Sequence, residues 1–221
     1  MSYLLAIIGL VLLAAAVRKM VRYKTLSPFL PRKYNFGKRR DTLRAVLDLL
    51  DQRNAKNLVE TGAARGGLAK SKGDGASTVV FGLWASQHDA HLHSVDIDPA
   101  ATEEAGNAVR ELGLQDSVTL VTSDSVAFLE SYDKPVDFLY LDSYDYHKTD
   151  SAIQQASQQH HLKEIEAIEQ RLHDDTVILI DDCDMPNGGK GKLVIDKLTK
   201  RGWQVYLSAY QVILVKDQSV S

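Results

Sequence analysis

The sequence VETGAARG, residues 59–66, decides the fold because it joins an apolar run to a glycine-bearing turn. Glu60 stands at the end of the run, and Gly62 and Gly66 follow it two and six residues later. Glycine lets a backbone approach a ligand closely, and an acidic side chain at this place can accept a hydrogen bond from a ligand amine. A dinucleotide-dependent dehydrogenase would carry G-x-G-x-x-G here without the glutamate, so the stretch predicts a different nucleoside-binding turn.

Apolar runs recur on both sides of this turn. They alternate with segments long enough for crossover helices, which predicts a parallel sheet covered by helices on both faces. Strands are predicted at residues 57–60, 91–97, 118–122, 136–141 and 177–180. The spacing of Leu43, Val46 and Leu50 predicts a helix over about residues 41–54.

The end of the chain departs from this alternation. Two strand-like runs, residues 203–207 and 210–215, are separated only by Ser208 and Ala209. Such a short connection makes an antiparallel hairpin. The predicted fold is therefore a Rossmann-like α/β domain over residues 41–221, with a mostly parallel seven-stranded sheet that ends in an antiparallel hairpin.

Composition excludes several classes of function. A chain of 221 residues forms one medium domain by default. With 26 basic and 29 acidic residues it has a net charge of −3, which indicates a small-molecule or lipid-like substrate and no nucleic-acid partner. Cys183 is the only cysteine, so an intrachain disulfide and a thiolate zinc cluster are excluded.

The N-terminus carries an uncharged run at residues 2–17, SYLLAIIGLVLLAAAV, followed by Arg18 and Lys19. We predict a transmembrane helix over residues 1–24 that makes this a single-pass membrane protein, with a juxtamembrane linker at residues 25–40. Because the positive charges follow the run, the positive-inside bias places the globular domain on the cytoplasmic side. The alternatives are a cleaved signal peptide, which lacks its usual basic start here, and a buried core helix.

The stretch VETGAARG resembles the first cofactor-binding motif of the class I methyltransferases, and the resemblance runs over about residues 57–215. It implies S-adenosylmethionine as the cofactor, bound over Gly62 with Glu60 near its methionine end. The other residues assigned to this turn are Thr61, Ala63 and Gly66. Glycines continue to Gly75 before the next helix begins, so either Gly66 or the turn at residues 73–75 forms the second half of the cradle.

Further cofactor contacts are predicted after the second and third strands. Asp96 stands where a carboxylate can accept hydrogen bonds from both hydroxyls of a ribose, and Ile97 is assigned beside it. Asp98 is interpreted as the cap of the following helix. Asp124 either lies beside the adenine, as the resemblance implies, or only caps its own helix.

Carboxylates follow the fourth and fifth strands, at Asp142 and at the pair Asp181 and Asp182. These strand ends are neighbours at the ligand-binding edge of a parallel sheet, and clustered carboxylates favour a hard cation, Mg²⁺ or Ca²⁺, with Mn²⁺ as a further candidate. The set resembles the magnesium site of the catechol and caffeoyl-CoA O-methyltransferases, an aspartate with an Asp-Asn pair. Here the pair is Asp-Asp, and Asp145 replaces the lysine expected three residues after Asp142. Asp142 is also assigned to the cofactor site.

That replacement leaves the general base open among His147, Lys148, His160 and His161. Any of them in its neutral form could take a hydroxyl proton. His161 is favoured because it precedes the amphipathic helix that leads to the metal strand. Lys190, in the sequence GGKGK at residues 188–192, is interpreted as part of a turn, with a lid edge that presents a lysine to an anionic substrate as the alternative.

Together these features predict methyl transfer from S-adenosylmethionine to a hydroxyl of a small or membrane-associated molecule, assisted by a divalent metal on Asp142 and Asp182. Two alternatives stay open. One is a metal-independent methyltransferase that acts on nitrogen or on a lipid or sugar, and the other is a non-catalytic nucleoside-binding module at a membrane. An NAD-dependent oxidoreductase is disfavoured by Glu60 and by the terminal hairpin.

Overall fold

The computed structural model describes residues 2–23 and 34–216 of the chain. Seven strands form one sheet in the order β3-β2-β1-β4-β5-β7-β6. The strands are β1 (Asn57–Thr61), β2 (His91–Asp96), β3 (Val118–Thr122), β4 (Val136–Leu141), β5 (Leu172–Ile180), β6 (Trp203–Ser208) and β7 (Val212–Lys216). Strands β1 to β5 pair in parallel, and β7 is antiparallel to both β5 and β6. The predicted Rossmann-like sheet with its terminal hairpin is confirmed.

Eight α-helices lie in the described part of the chain. They are α1 (Ser2–Tyr23), α2 (Arg40–Gln52), α3 (Ser71–Asp74), α4 (Ser77–Gln87), α5 (Pro99–Glu111), α6 (Ser125–Ser131), α7 (Ser151–Ile168) and α8 (Lys192–Thr199). A 3-10 turn, Gly37–Arg39, leads directly into α2. Helix α2 confirms the helix predicted over about residues 41–54.

The sheet buries side chains on both of its faces. In β4, Phe138 and Tyr140 pack into the core cluster that includes residues of α2, α4 and α5, whereas Leu139 and Leu141 pack into the cluster that includes residues of α6, α7 and α8. All four side chains are fully buried. A strand that is apolar at successive positions is what a parallel sheet covered on both sides requires.

Backbone hydrogen bonds continue past the carboxyl ends of the central strands. The N–H of Asp142 donates to the carbonyl of Thr61 at 2.9 Å, and the N–H of Asp181 donates to the carbonyl of Leu141 at 3.1 Å. These bonds hold the residues that follow β1, β4 and β5 side by side. Gly62, Asp142 and Asp181 therefore meet at one edge of the sheet.

The N-terminal run forms helix α1, on which Leu5 and Leu12 are exposed. Across residues 2–23 and 34–216, however, the structure contains no helix with both the length and the apolar character to cross a bilayer. The structure does not support the predicted transmembrane anchor over residues 1–24. The uncharged run reaches roughly 24 Å at about 1.5 Å per residue before Arg18 interrupts it, short of the roughly 30 Å of a bilayer core. The cytoplasmic placement inferred from the flanking charges stays a prediction.

The predicted linker at residues 25–40 is described only in part, because residues 25–33 lie outside the described residues. The remainder packs onto the domain. Phe36 is buried in the core cluster that contains residues of α2 and α4, and Arg39 is only 8% exposed. Arg39 reaches Asp181 at the end of β5, so the segment before α2 contributes to the carboxyl edge of the sheet.

Candidate active site

A cavity of about 350 Å³ opens at the carboxyl edge of the sheet. Its walls come from the turn after β1, the ends of β2, β4 and β5, the hairpin, and the 3-10 turn before α2. The lining residues are Arg39, Gly62, Ala63, Ala64, Arg65, Gly73, Ser77, Asp96, Asp142, Ser143, Asp145, Asp182, Met185, Lys190 and Tyr210. Parallel α/β sheets bind their ligands at this edge.

The turn after β1 needs glycine at residue 62. Gly62 has a φ of +87°, and a Cβ there would lie 2.6 Å from the carbonyl oxygen of Asp142. The next two N–H groups are fixed by side chains, since Ala63 donates to Asp96 at 3.0 Å and Ala64 donates to Thr78 at 2.9 Å. The turn therefore packs closely against the end of β4, and Gly62, Ala63 and Ala64 line the cavity.

Glu60 lies fully buried two residues before this turn. The hydroxyls of Thr78 and Ser94 each donate to its Oε2 at 2.6 Å, while Oε1 has no hydrogen-bond partner among the residues that the structure describes. Burial raises the pKa of Glu60 to about 7, against the opposing effect of its hydroxyl donors. Glu60 lies behind the turn and is not part of the lining formed by the described residues, so its contact with a ligand amine stays a prediction.

Asp96 lines the cavity at the end of β2 and organises the backbone around it. Its Oδ2 accepts from the N–H of Ala63, and its Oδ1 accepts from the N–H of Asp98 at 2.9 Å. The side chain of Ile97 is 71% exposed and lies outside the lining formed by the described residues. The predicted role of Asp98 is confirmed, because its carboxylate caps α5 by accepting from the N–H of Ala100.

The other residues assigned to the cofactor lie around this cavity rather than on it. Thr61 is fully buried, and Gly66 lines a separate cavity beside Leu68 and Lys70. Since Gly73 lines the site, the turn at residues 73–75 is the better candidate for the second half of the cradle. Asp124 caps α6 through the N–H of Ala127, and its contact with an adenine stays a prediction.

Asp142, Asp181 and Asp182 converge at the edge where β4 and β5 end. One carboxylate oxygen from each lies within 4.8 Å of the others. Basic side chains already engage all three. The Nε of Arg39 lies 3.0 Å from both carboxylate oxygens of Asp181, and Lys190 binds Asp142 closely while its Nζ lies 3.4 Å from Oδ2 of Asp182.

The oxygen chemistry of these carboxylates suits a hard divalent cation, but their present partners do not leave room for one. Arg39 spans both oxygens of Asp181, and the ammonium of Lys190 lies between Asp142 and Asp182. A metal bound by the three aspartates would have to displace at least the lysine. As arranged, the residues do not fit a resident divalent cation.

Lys190 is held as a buried cation. Its side chain is only 2% exposed. Burial by itself would lower the pKa of Lys190, but the carboxylates of Asp142, Asp182 and Asp181 outweigh burial and raise that pKa above its ordinary value. The ammonium form therefore persists at neutral pH. The hydroxyl of Tyr210 also donates to Asp182.

The sequence of this domain matches a known protein family. The profile of a family described as a methyltransferase domain matches residues 72–183, a range that includes Asp96, Asp142 and the Asp181-Asp182 pair. The chain belongs to this methyltransferase family. A comparison with curated protein sequences found no match.

Solved structures share the fold of this methyltransferase. A Staphylococcus aureus protein provisionally described as a caffeoyl-CoA O-methyltransferase is 16% identical, with 86% of each chain covered and a TM-score of 0.57. A Podospora anserina methyltransferase with S-adenosylhomocysteine bound is 12% identical, with 93% of this chain and 96% of that chain covered and a TM-score of 0.61. A provisionally described Streptococcus mutans methyltransferase, also with S-adenosylhomocysteine bound, is 17% identical over 78% and 96% of the two chains, with a TM-score of 0.52.

At these identities the structural likeness establishes the fold alone. Together with the family match, the fold makes the chain a class I S-adenosylmethionine-dependent methyltransferase. The turn at Gly62 and the carboxylate of Asp96, which both line the cavity, fit that cofactor.

The structure places the predicted general bases of the methyltransferase away from the lining that its described residues form. His161 is fully buried, its Nδ1 lies 2.7 Å from the carbonyl oxygen of Ser157, and burial lowers its pKa to about 4. His147 is exposed and accepts from the N–H of Asp150, and Lys148 is exposed beside it. His160 contacts Ser125 at 3.0 Å, also outside the lining.

Sequence reasoning missed Arg39 and Tyr210, and it interpreted Lys190 as part of a turn, with a lysine presented to an anionic substrate as the alternative. The one available signal lies around Lys190, where glycines stand on both sides of a single lysine shortly after the acidic end of β5. Gly189 has a φ of +59°, and a Cβ there would lie 1.9 Å from the carbonyl oxygen of Asp182. The glycines thus mark a close approach of this turn to the strand end, which carries Lys190 into the site.

Proposed function

We propose that this methyltransferase transfers a methyl group to a hydroxyl of a small molecule bound in the cavity. The observation that supports this most is the polar wall formed by Asp142, Asp182, Lys190 and Tyr210, which lines the same cavity as Gly62. Carboxylates accept the hydrogen of a hydroxyl, and an ammonium stabilises negative charge on its oxygen. This wall therefore suits an oxygen acceptor.

The cofactor end of the cavity has separate groups for binding. S-adenosylmethionine, when bound, supplies an electrophilic methyl group. The free Oε1 of Glu60 offers an acceptor for its amine, and the carboxylate of Asp96, which already accepts two backbone N–H groups, retains lone pairs for ribose hydroxyls. The turn at Gly62 allows the ligand to approach the backbone closely.

Methylation of a hydroxyl releases one proton, which must reach a base within hydrogen-bonding range. Asp142 and Asp182 are carboxylates on the cavity wall, and Asp182 is the one that Lys190 contacts less closely. We assign Asp182 as the group that accepts the proton. Lys190 stays protonated and stabilises the developing charge on the acceptor oxygen.

The experiment is methyl transfer by the full-length protein from S-adenosylmethionine with a labelled methyl group. The acceptors offered are hydroxylated aromatic compounds, hydroxylated lipids, primary amines and RNA. We expect label on a hydroxyl compound, with Asp182→Asn lowering turnover by about 100-fold or more. Asp184→Asn is the matched control, because Asp184 is an exposed carboxylate that pairs with Lys38. Label on amines or RNA alone would contradict the proposal.

A further inference from the structure

Lys190 is a buried cation surrounded by the carboxylates that the sequence assigns to a metal. Its Nζ binds Oδ1 of Asp142 and lies 3.4 Å from Oδ2 of Asp182 and 3.5 Å from the backbone oxygen of Asp142. We infer that this ammonium takes the place of a divalent cation, so that the acceptor is positioned without a metal. The inference deepens the proposed function and rests on it for the identity of the acceptor.

The charges around the site support this assignment. Within residues 34–216, the cluster of three carboxylates faces two basic side chains, Arg39 and Lys190. Arg39 engages both oxygens of Asp181, which leaves Lys190 to offset the repulsion between Asp142 and Asp182. A divalent cation between these two would require oxygens at about 2.0–2.6 Å and would have to displace the ammonium that now bridges them.

The backbone on both sides of Lys190 is fixed against the end of β5. A Cβ at Gly189 would meet the carbonyl of Asp182, and a Cβ at Gly191 would lie 2.7 Å from Sγ of Cys183. The side-chain amide of Gln158 also donates to the carbonyl of Gly189 at 3.0 Å. A tightly packed turn, and not a freely moving loop, therefore holds Lys190 against the carboxylates.

A lysine ammonium can do part of what a metal would do here. It has three N–H donors, so it can bind Asp142 and Asp182 and donate its third N–H to an acceptor oxygen that displaces the long contact of 3.5 Å with the backbone oxygen of Asp142. Its charge is compact and carried at one atom, which suits stabilisation of a developing oxyanion. Unlike a metal, it is covalently part of the chain and is not removed by a chelator.

The inference is tested by Mn²⁺ binding to the full-length protein, measured from the electron paramagnetic resonance signal of free Mn²⁺. We expect the wild type to bind no stoichiometric Mn²⁺. Lys190→Met should leave the carboxylates without their cation and bind Mn²⁺ at least about tenfold more tightly. That gain should disappear in the double variant Lys190→Met, Asp142→Asn. Lys192→Met is the matched control, because Lys192 is half-exposed and pairs with Asp196.

A wild type that binds one Mn²⁺ and loses it in Asp142→Asn would overturn the inference, as would a folded Lys190→Met variant with no gain. If Lys190→Met does not fold, the comparison of the wild type with Asp142→Asn still decides. These are binding measurements, so they hold whether or not a hydroxyl acceptor is found. Failure of the proposed function would appear instead as an absence of methyl transfer to hydroxyl compounds.

Discussion

Arg39 binds Asp181 through both carboxylate oxygens, with Nε 3.0 Å from each oxygen and Nη2 2.5 Å from Oδ2. The two side chains are 10% and 0% exposed. Arg39 also donates to the carbonyl of Gly73 at 3.0 Å. One guanidinium therefore joins the segment before α2, the end of β5 and Gly73 of α3, which lines the cavity.

Removing this guanidinium should destabilise the domain. We expect Arg39→Met to lower the free energy of unfolding by about 3–5 kcal/mol, because Asp181 would stay buried without its cation. Urea denaturation of the full-length protein measures the change. Lys38→Met is the control, since it breaks the exposed pair with Asp184 and a contact of 4.9 Å with the Tyr210 ring, and it should cost less than about 1 kcal/mol. Equal stability of Arg39→Met and wild type would contradict the structural role of the pair.

Glu60 should make the stability of the protein depend on pH. Its folded pKa of about 7 lies above the ordinary value of 4.5, because the side chain is buried. The folded state therefore binds more protons in this window, and the contribution of Glu60 is complete below pH 4.5 and is lost as the pH rises through about 7. We expect the wild type to lose about 3 kcal/mol relative to Glu60→Gln across the window. Denaturation curves at a series of pH values test this, and parallel pH dependence of the two proteins would contradict it.

Asp96 should contribute to cofactor affinity, whereas Asp98 should not. We expect Asp96→Asn to weaken S-adenosylmethionine binding by about 10- to 100-fold, because the charged acceptor for the turn and for the ribose is lost. Asp98→Asn should change affinity by less than about twofold, since Asp98 caps α5 outside the cavity lining. Isothermal titration of both variants measures the difference. Similar losses of affinity in the two variants would show that the loss comes from disturbing the loop after β2 as a whole and not from the Asp96 carboxylate.

His147 should be dispensable for turnover. Its ring is exposed and accepts from the N–H of Asp150, away from the cavity wall. We expect His147→Ala to retain turnover within about twofold, in contrast to the loss of about 100-fold expected for Asp182→Asn. The rate of methyl transfer at several pH values is the measurement. A comparable loss in His147→Ala, with a changed pH profile, would return the general base to this histidine.

The fold was predictable because the evidence for it is local. Apolar runs of strand length alternate with helical segments, and a two-residue connection between the last two runs requires a hairpin. The meeting of Asp142 with Asp181 and Asp182 was predictable for the same reason, since neighbouring parallel strands place their carboxyl ends at one edge.

The cations of the site could not be predicted from such patterns. Arg39 lies in what reads as a linker, and its pairing with Asp181 depends on tertiary packing across most of the chain. The glycines around Lys190 indicated a turn or a lid edge, but the contacts of Lys190 with Asp142 and Asp182 follow only from the close approach of Gly189 to the strand end. His161 was favoured as the general base because it precedes an amphipathic run. It lies on the face of α7 that packs into the core, and its side chain is fully buried.

Calorimetric titration of the full-length protein with S-adenosylmethionine, S-adenosylhomocysteine and NAD tests the central claim most directly. The structure predicts one saturable site for both adenosyl ligands, with a dissociation constant on the order of micromolar. The affinity should fall in Asp96→Asn, and NAD should not bind. A folded protein that binds neither adenosyl ligand, or that binds NAD instead, would contradict the assignment of this cavity to the methyl donor.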